Sequence, residues 1–595
     1  MTRIAFDLES NGFLDDVTTI HCICTKDLDS GKEKAFGPFD IDKALAYLMK
    51  ADELLGHNIL AYDLPVIAKL HPHFNTTGIK ITDTLVLSRL IRADLRNDDH
   101  AAGYTLEQLH KRLYGSHSLK AWGLRLGVLK GDYGETSDWS TWTKEMETYC
   151  QQDVRVTVAL WKHLAPETWS QQSIALEHSL AEICHRIGQA GWTFDKKKAG
   201  DLYAALAQER AALQTELDEL FPPWTIETPF VPKVNNKKLG YTKGETFIKT
   251  KEVRFNPNSR KHIEFCLKQK YGWKPKDFTP SGDAKIDETI LNALPYPEAK
   301  KLAHSFLVQK RIGMLAEGNS AWMKLAKDEP QSPRYGLLRH TINPNGTVTG
   351  RASHFGPNLA QVPATRAPYG KECRELFTVP PGYSLVGSDL SGLELRCLAH
   401  FLNDGGEYAK EVIDGDVHTA NMAAAGLATR DQAKTFIYAL LYGAGDTKIG
   451  SIVGGSAKEG RKLRQQFLDG FPAFASLLRA VKGAVDTKGH LVGLDYRRLV
   501  IRSDHAALNT LLQSAGALIC KKWVQLIDEN LRASGIDAEV VAWVHDEVQV
   551  RTRKGYEQDV GNRLKECARK AGEAFNFTVA IDAEYGVGPD WSATH

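Results

Sequence analysis

The stretch YSLVGSDLSGLELRCLAHFL, residues 383–402, reads as strand, turn and helix in immediate succession. Residues 383–390 form an apolar strand candidate that ends in Asp389. Ser391-Gly392 supplies a turn, and an amphipathic helix is expected from Leu393. An acid at the end of a buried strand is exposed but rigidly held, which is what positioning a metal ion requires. Taken alone, an Asp at such a place is more often a plain turn residue.

Two further stretches change that balance. EVVAWVHDEVQVRT, residues 539–552, alternates apolar and polar residues on both sides of His545-Asp546-Glu547 and predicts a β-hairpin with acids at its tip. Asp389 and Asp546 together could hold two divalent cations, a pair suited to in-line transfer at phosphorus. TRDQAKTFIYALLYGAG, residues 429–445, lies between them. Thr429 with Gln432 fits a capping box, so a helix is expected from Arg430, with Gly443 and Gly445 ending it. Arg430, Lys434, Tyr438 and Tyr442 recur every four residues and share one helical face. Two cations followed by two aromatics can bind a triphosphate with a base stacked beyond it. Lys434 is also suited to protonating a departing pyrophosphate.

Near the N-terminus, FDLES (residues 6–10) sets Asp7 and Glu9 two apart on a strand, hence on one face. GHNILAYDLPVI (56–67) adds Asp63 at a loop-to-helix transition, and YCQQDVRVT (149–157) adds Tyr149 and Asp153 on one helical face. Four carboxylates brought together repel one another unless cations sit among them. A pair of such metals can activate water against a phosphodiester.

In this order, the N-terminal motifs resemble the tyrosine subgroup of the DEDD exonuclease superfamily. The resemblance implies that Asp7, Glu9, Asp63 and Asp153 hold metal and that Tyr149 positions the attacking water. The later motifs resemble motifs A, B and C of family A DNA polymerases, those of T-seven-type bacteriophages in particular. Whole phrases carry the likeness: DLSGLELRCLAH, RDQAKTFIY, LYGAGDTKIG, ALNTLLQSAGALICK, WVHDEVQV and the C-terminal GPDWSATH. It implies that Asp389, Asp546 and the backbone carbonyl of Leu390 bind two Mg2+, for which Mn2+ substitutes. Arg430, Lys434 and His418 would hold the incoming triphosphate. Tyr438 would lie beside the sugar, and Glu394 would exclude a 2′-hydroxyl and hydrogen-bond that tyrosine. Tyr442 would stand near the templating base. Arg351, Gln513 and His545 would touch the primer-template end, largely in the minor groove, where contacts test pair shape without reading sequence. Glu547 would support the metal site from behind.

The implied fold is α/β and α+β multidomain: an N-terminal RNase H-like 3′→5′ exonuclease domain, then a right-hand polymerase domain. The expected boundaries are exonuclease 1–171, thumb 172–335, palm 336–401 and 513–595, and fingers 402–512. The implied partners are primer-template DNA, dNTPs and a replicative helicase-primase. The thumb stretch 224–255 is basic but too short for the insertion that captures thioredoxin in the phage relatives, so thioredoxin is not expected as a partner.

Bulk properties agree with an ordinary globular protein. The chain has 595 residues, too many for one core, with 43% hydrophobic and 25% charged residues. Net charge is only +2, but residues 225–276 carry thirteen Lys and Arg against four Glu, leaving the remainder acidic. That polarity suits a molecule that grips phosphates with one part and cations with another. Nine cysteines are dispersed without a C-x-x-C pair, which reads as reduced thiols; Cys22 and Cys24, two apart on a strand, do not by themselves make a zinc site. Neither a membrane-spanning run nor a secretory apolar core stands out, so a cytoplasmic location is expected. Three other readings stay open on the residues alone. They are a single-subunit RNA polymerase, a nuclease without synthesis, and a non-enzymatic DNA-binding component of a replisome.

Overall fold

A computed structural model of the chain describes residues 2–595 except 129–132, 134–137, 280, 330–331 and 403. The chain divides into two compact units: residues 1–192, 339–362 and 378–595 form the first, and 193–338 with 363–377 form the second. This division differs from the boundary expected near residue 172. Helix Gln171–Ala190 belongs to the first unit because it buries Leu176, Leu180, Ile183 and Ile187 in that unit's main core. Residues 402–512 form no unit of their own, since Phe436, Phe467 and Phe474 share that same core with Val386 and Trp523.

The N-terminal part of the first unit is built on five strands in the order Glu33–Phe36, Ile20–Asp27, Arg3–Ser10, Glu53–Gly56, Lys80–Asp83. The first three pair antiparallel and the last two join in parallel. Strand Arg3–Ser10 is central and alternates. Ile4, Phe6 and Leu8 face one core with Leu45 and Ile67, whereas Ala5 faces a second core with Val154 and Val158 of helix Lys144–Leu164. Period-two alternation therefore sends Asp7 and Glu9 to the side covered by that helix.

The later part centres on a four-stranded antiparallel sheet in the order Ala538–Val544, Glu547–Arg553, Tyr383–Leu390, Ala583–Gly588. The strand, turn and helix expected over 383–402 form at Tyr383–Leu390 and Leu393–Leu402, and the expected hairpin forms around His545-Asp546. Helix Arg430–Leu441 starts where the cap predicts: the Thr429 side chain accepts from the Gln432 amide at 3.2 Å, though Gln432 does not complete the reciprocal bond. Gly443, at φ +70°, then ends the run.

The second unit carries the long helices Lys196–Leu220 and Pro297–Ile312. The stretch 222–260, loop-like by composition, instead contains an antiparallel ribbon, Trp224–Phe230 with Phe247–Val253. Pairing is favoured by its β-branched and aromatic residues. Phe230, Tyr241 and Phe247 cluster at the end of the ribbon, and the Lys249 ammonium lies 3.6 Å from the Phe230 ring centre. None of the described helices is long and apolar enough to cross a membrane.

A buried charge cluster ties three segments of the first unit together. Glu177 of helix Gln171–Ala190 pairs with Lys521 of helix Ala507–Ser534 and, at 2.6 Å, with Arg497, which also grips Asp495 at 2.7 Å. None of the four side chains is more than 3% exposed. Burial works to raise the Glu177 carboxyl, but Lys521 and Arg497 outweigh it and hold it below its usual range. Burial pulls Lys521 down to about 8, against the attraction of Glu177. Removing one member of such a cluster costs about 3–5 kcal/mol because a charge is left buried and unbalanced. Lys521→Met is therefore expected to lower the midpoint of urea unfolding sharply, and adding Glu177→Gln to recover part of the loss. Circular dichroism along a urea series measures both.

Candidate active sites

Strand Tyr383–Leu390 is flanked on both sides, so Asp389 stands opposite Glu547 on one neighbour and Glu584 on the other. The Leu390 amide donates to the Asp546 carbonyl at 3.1 Å, which pins the hairpin tip against the end of the strand. His545, the first tip residue, takes φ +59°, and the Trp543 indole donates to its carbonyl at 3.0 Å. A non-glycine residue held in this conformation signals that the tip is fixed by its surroundings. Burial, reinforced by Asp546, Glu547 and Glu584, pushes the Asp389 carboxyl up to about 7. Burial also raises Asp546. Acids this close cannot all ionise without a cation between them. Carboxylate and carbonyl oxygens form the donor set that suits Mg2+.

Glu547 is engaged elsewhere. It accepts from the Trp591 indole and from Gln549 Nε2 at 2.6 Å, and lies 3.3 Å from His595 Nδ1. The C-terminal stretch therefore occupies this acid, and of the acids at this junction Asp546 lines the neighbouring cavity. That cavity, of about 300 Å3, is lined by Arg351, Glu394, Cys520, Trp543, His545 and Asp546. Gln513 is half-buried on helix Ala507–Ser534, next to Leu512, which also lines the cavity.

Helix Arg430–Leu441 presents its stripe as the spacing requires. Arg430 and Lys434 are exposed, Tyr438 is half-buried, and Tyr442 caps the end. Arg430 Nε donates to Asp416 at 2.8 Å. His418 has its ring centre 6.3 Å from that of Tyr438, and burial together with the charges of Arg430 and Lys434 lowers its pKa. These side chains thus converge into one basic patch. Burial raises Tyr438, with Glu394 and Asp546 adding to it. The expected bond from Glu394 to Tyr438 is not the one formed. Glu394 accepts from the Tyr442 hydroxyl and pairs with Arg351 at 3.3 Å. Tyr442 caps the helix that Tyr438 lies within, and burial and Glu394 push its hydroxyl up to about 12.

The N-terminal acids also converge. Asp7 and Glu9 meet Cys150 within 4.8 Å, and Asp153 lies one turn further along the same helix, buried. Asp63 begins helix Asp63–Leu70 and accepts from the Leu8 amide at 3.2 Å, which binds it to the acidic strand. Burial, with Asp83 and Asp153 as further causes, pushes Asp63 up to about 7. Tyr149 is half-buried beside Tyr133 and Trp139.

Sequence reading missed four participants. Glu584 joins the Asp389 site through strand pairing alone. Asp83 holds the loop before Asp63 by accepting from the Asn58 and Leu60 amides at 2.9 and 3.2 Å. Trp591 and His595 hold Glu547. A D-x-x-x residue before a helix was a visible capping signal for Asp83; nothing local marks the others.

The family model described as DNA polymerase family A matches residues 235–593. The chain is 36% identical over 712 positions to the DNA-directed DNA polymerase of Escherichia phage T7, with 100% of both chains covered. It is 35% identical to that of Enterobacteria phage T3, covering 99% of each. Both alignments run over 712 positions against 595 residues here, so these relatives carry segments that this chain lacks. Among solved structures, the POL domain of Pol1 from M. smegmatis, in complex with DNA primer-template and dNTP, superposes with a TM-score of 0.73. That match covers 99% of this chain and 96% of the other at 17% identity, a likeness of fold. A motif order, a two-acid strand-and-hairpin site and a full-length likeness thus agree, and the chain belongs to DNA polymerase family A.

Proposed function

We propose that this chain extends a primer 3′ end with dNTPs on a DNA template and removes mispaired ends with a separate 3′→5′ exonuclease. The observation that carries the synthetic half is the junction of Asp389 and Asp546, where main-chain bonding forces two acids together and raises both. Asp389, Asp546 and the Leu390 carbonyl would hold the two Mg2+ ions. Bound there, the ions supply an acidified primer hydroxyl and charge neutralisation at the phosphate being transferred.

The remaining work belongs to side chains. Arg430, Lys434 and His418 bind the triphosphate of the incoming dNTP, with Arg430 leaving Asp416 to do so. Lys434 delivers a proton to the departing pyrophosphate. Tyr438 packs against the sugar, and Glu394 blocks a 2′-hydroxyl, held in place by Arg351 and Tyr442. Tyr442 gives up this bond when helix Arg430–Leu441 closes, which makes closure a test of the nascent pair. Arg351, Gln513 and His545 follow the minor groove of the primer-template end. In the exonuclease, Asp7, Glu9, Asp63 and Asp153 hold the metals and Tyr149 orients the water. Residues 1–171 act as the exonuclease domain, 172–335 as thumb, 336–401 with 513–595 as palm, and 402–512 as fingers. A replicative role in the cytoplasm of a phage host, beside a helicase-primase, completes this reading.

The basic ribbon at 224–253 grips duplex DNA directly, in place of a captured processivity protein. Its support is the local charge and the exposure of Lys237, Lys238, Lys243 and Lys249.

Asp546→Ala is expected to remove several kcal/mol of transition-state stabilisation, lowering primer extension about 1,000-fold while trimming of a mismatched 3′ end persists. Asp7→Ala gives the reverse pattern. Gel assays of both activities with Mg2+ measure each, and joint loss from either variant overturns the two-site reading. Replacing Lys237, Lys238, Lys243 and Lys249 with Ala is expected to shorten products in a single-encounter assay. It should also lower the salt slope of duplex binding by about 0.9 for each phosphate no longer neutralised. An unchanged slope overturns the role of the ribbon.

A further inference from the structure

The face of the N-terminal sheet that carries the acids carries a second cluster of different chemistry. In the pairing of Arg3–Ser10 with Ile20–Asp27, Cys24 stands opposite Asp7 and Cys22 opposite Glu9. Residues directly opposed in a sheet share a face. Cys150 descends onto that face from helix Lys144–Leu164, between Tyr149 and Asp153. The three sulfurs lie within 4.8 Å of one another, and all three residues are 0% exposed. Cys24 donates to the Glu147 carbonyl at 3.5 Å, and Cys150 to the Asp7 carbonyl at 3.3 Å. Ala5, Leu55, Val154 and Val158 close the surroundings. All nine cysteines are free and buried, and among the described residues no other three come together.

Three convergent thiols in an apolar setting form a soft donor set, whereas the neighbouring carboxylates form a hard one. Metal–sulfur bonds of about 2.3 Å in a trigonal plane set sulfurs about 4 Å apart, inside the observed spread. A carboxylate oxygen of Asp7 and one of Glu9 also lie within 4.8 Å of the Cys150 sulfur, so a fourth donor is at hand. We propose that Cys22, Cys24 and Cys150 form a binding site for one thiophilic divalent cation of the zinc and cadmium class, adjoining the acids assigned to the exonuclease metals. Binding releases three thiol protons to solvent and forms three sulfur–metal bonds, with no change of oxidation state. Occupancy deprotonates Cys150, ends its donation to the Asp7 carbonyl, and draws an acid of the exonuclease site toward the thiols. Trimming then falls while extension continues; this consequence rests on the exonuclease reading, but the binding site does not.

Cd2+ serves as the probe, in the full-length chain carrying His71→Ala, because Asp42, His71 and His73 form an exposed trio that could also take a cation. The reduced chain is incubated with Cd2+, passed over a chelating resin, and read by elemental analysis and by thiolate-to-cadmium charge-transfer absorption. The incubation is repeated through unfolding and refolding in urea, so that a closed pocket does not hide the site. One retained Cd2+ per chain is expected. Cys150→Ser and Cys24→Ala should each weaken retention at least about 100-fold, while Cys567→Ala leaves it unchanged. Primer extension checks that each variant is folded. No retained Cd2+ after refolding, or equal retention in Cys150→Ser, overturns the site and leaves the trio as core packing. Bound Cd2+ with undiminished trimming overturns the link to the exonuclease. A chain free of Cd2+ that never trims in the presence of Mg2+ overturns the exonuclease reading while the binding result stands.

Discussion

One main-chain hydrogen bond, from the Leu390 amide to the Asp546 carbonyl, holds together the chemistry of the later half of the chain. Neither carboxylate would approach the other freely, since each raises the cost of ionising its neighbour. The sheet overcomes this repulsion with backbone pairing on both sides of strand Tyr383–Leu390, where Asp389 has no freedom to withdraw. The result is a site poised between protonation states, with Asp389 near 7 and Asp546 raised. Such a site takes up a divalent cation by exchanging protons for it.

That geometry depends on support from segments far away in sequence. Thr594 donates to Gln549, Gln549 and Trp591 donate to Glu547, and so the last residues of the chain anchor the strand that follows the hairpin tip. Gly387 permits this packing: a Cβ there would meet Gln549 Nε2 at 2.4 Å and Thr594 Cβ at 2.8 Å. On the far side, Gly350 at φ +80° lies against the buried cluster of Glu177, Arg497, Asp495 and Lys521, with Arg497 3.0 Å from where its Cβ would be. Arg351 follows it directly and reaches Glu394. The buried charges thus stand one residue away from a side chain of the cavity, which ties core stability to the position of Arg351.

The N-terminal site is assembled by the same means on a different sheet. A backbone amide of the acidic strand holds Asp63, Asp83 fixes the preceding loop, and helix Lys144–Leu164 brings Tyr149 and Asp153 over the face of Asp7 and Glu9. Asp7, Glu9 and Asp389 ride on strands, Asp546 on a hairpin tip, Asp63 on a helix start and Asp153 within a helix. Those positions are rigid, and they allow repulsive groups to be held until a cation offsets them.

Much of this was legible in residue order. Periodicity marked Tyr383–Leu390, Leu393–Leu402, the hairpin at His545-Asp546 and the start of helix Arg430–Leu441, because alternation, turn residues and caps are local and leave a local signature. The acids of both sites were likewise visible as motifs. Composition misled at 222–260, where Pro, Asn and Lys concealed a paired ribbon, because pairing is a property of two segments and neither one records its partner. The same reason hid Glu584 beside Asp389, the grip of Trp591 and His595 on Glu547, and the choice of Tyr442 over Tyr438 as the partner of Glu394. It also hid Cys150 meeting Cys22 and Cys24. The sequence by itself determined which side chains carry charge, sulfur and aromatic surface, and on what local element each one rides. Only the tertiary structure decided which of them meet, because cross-strand register and helix-on-sheet packing are set by the burial of residues distant in the chain.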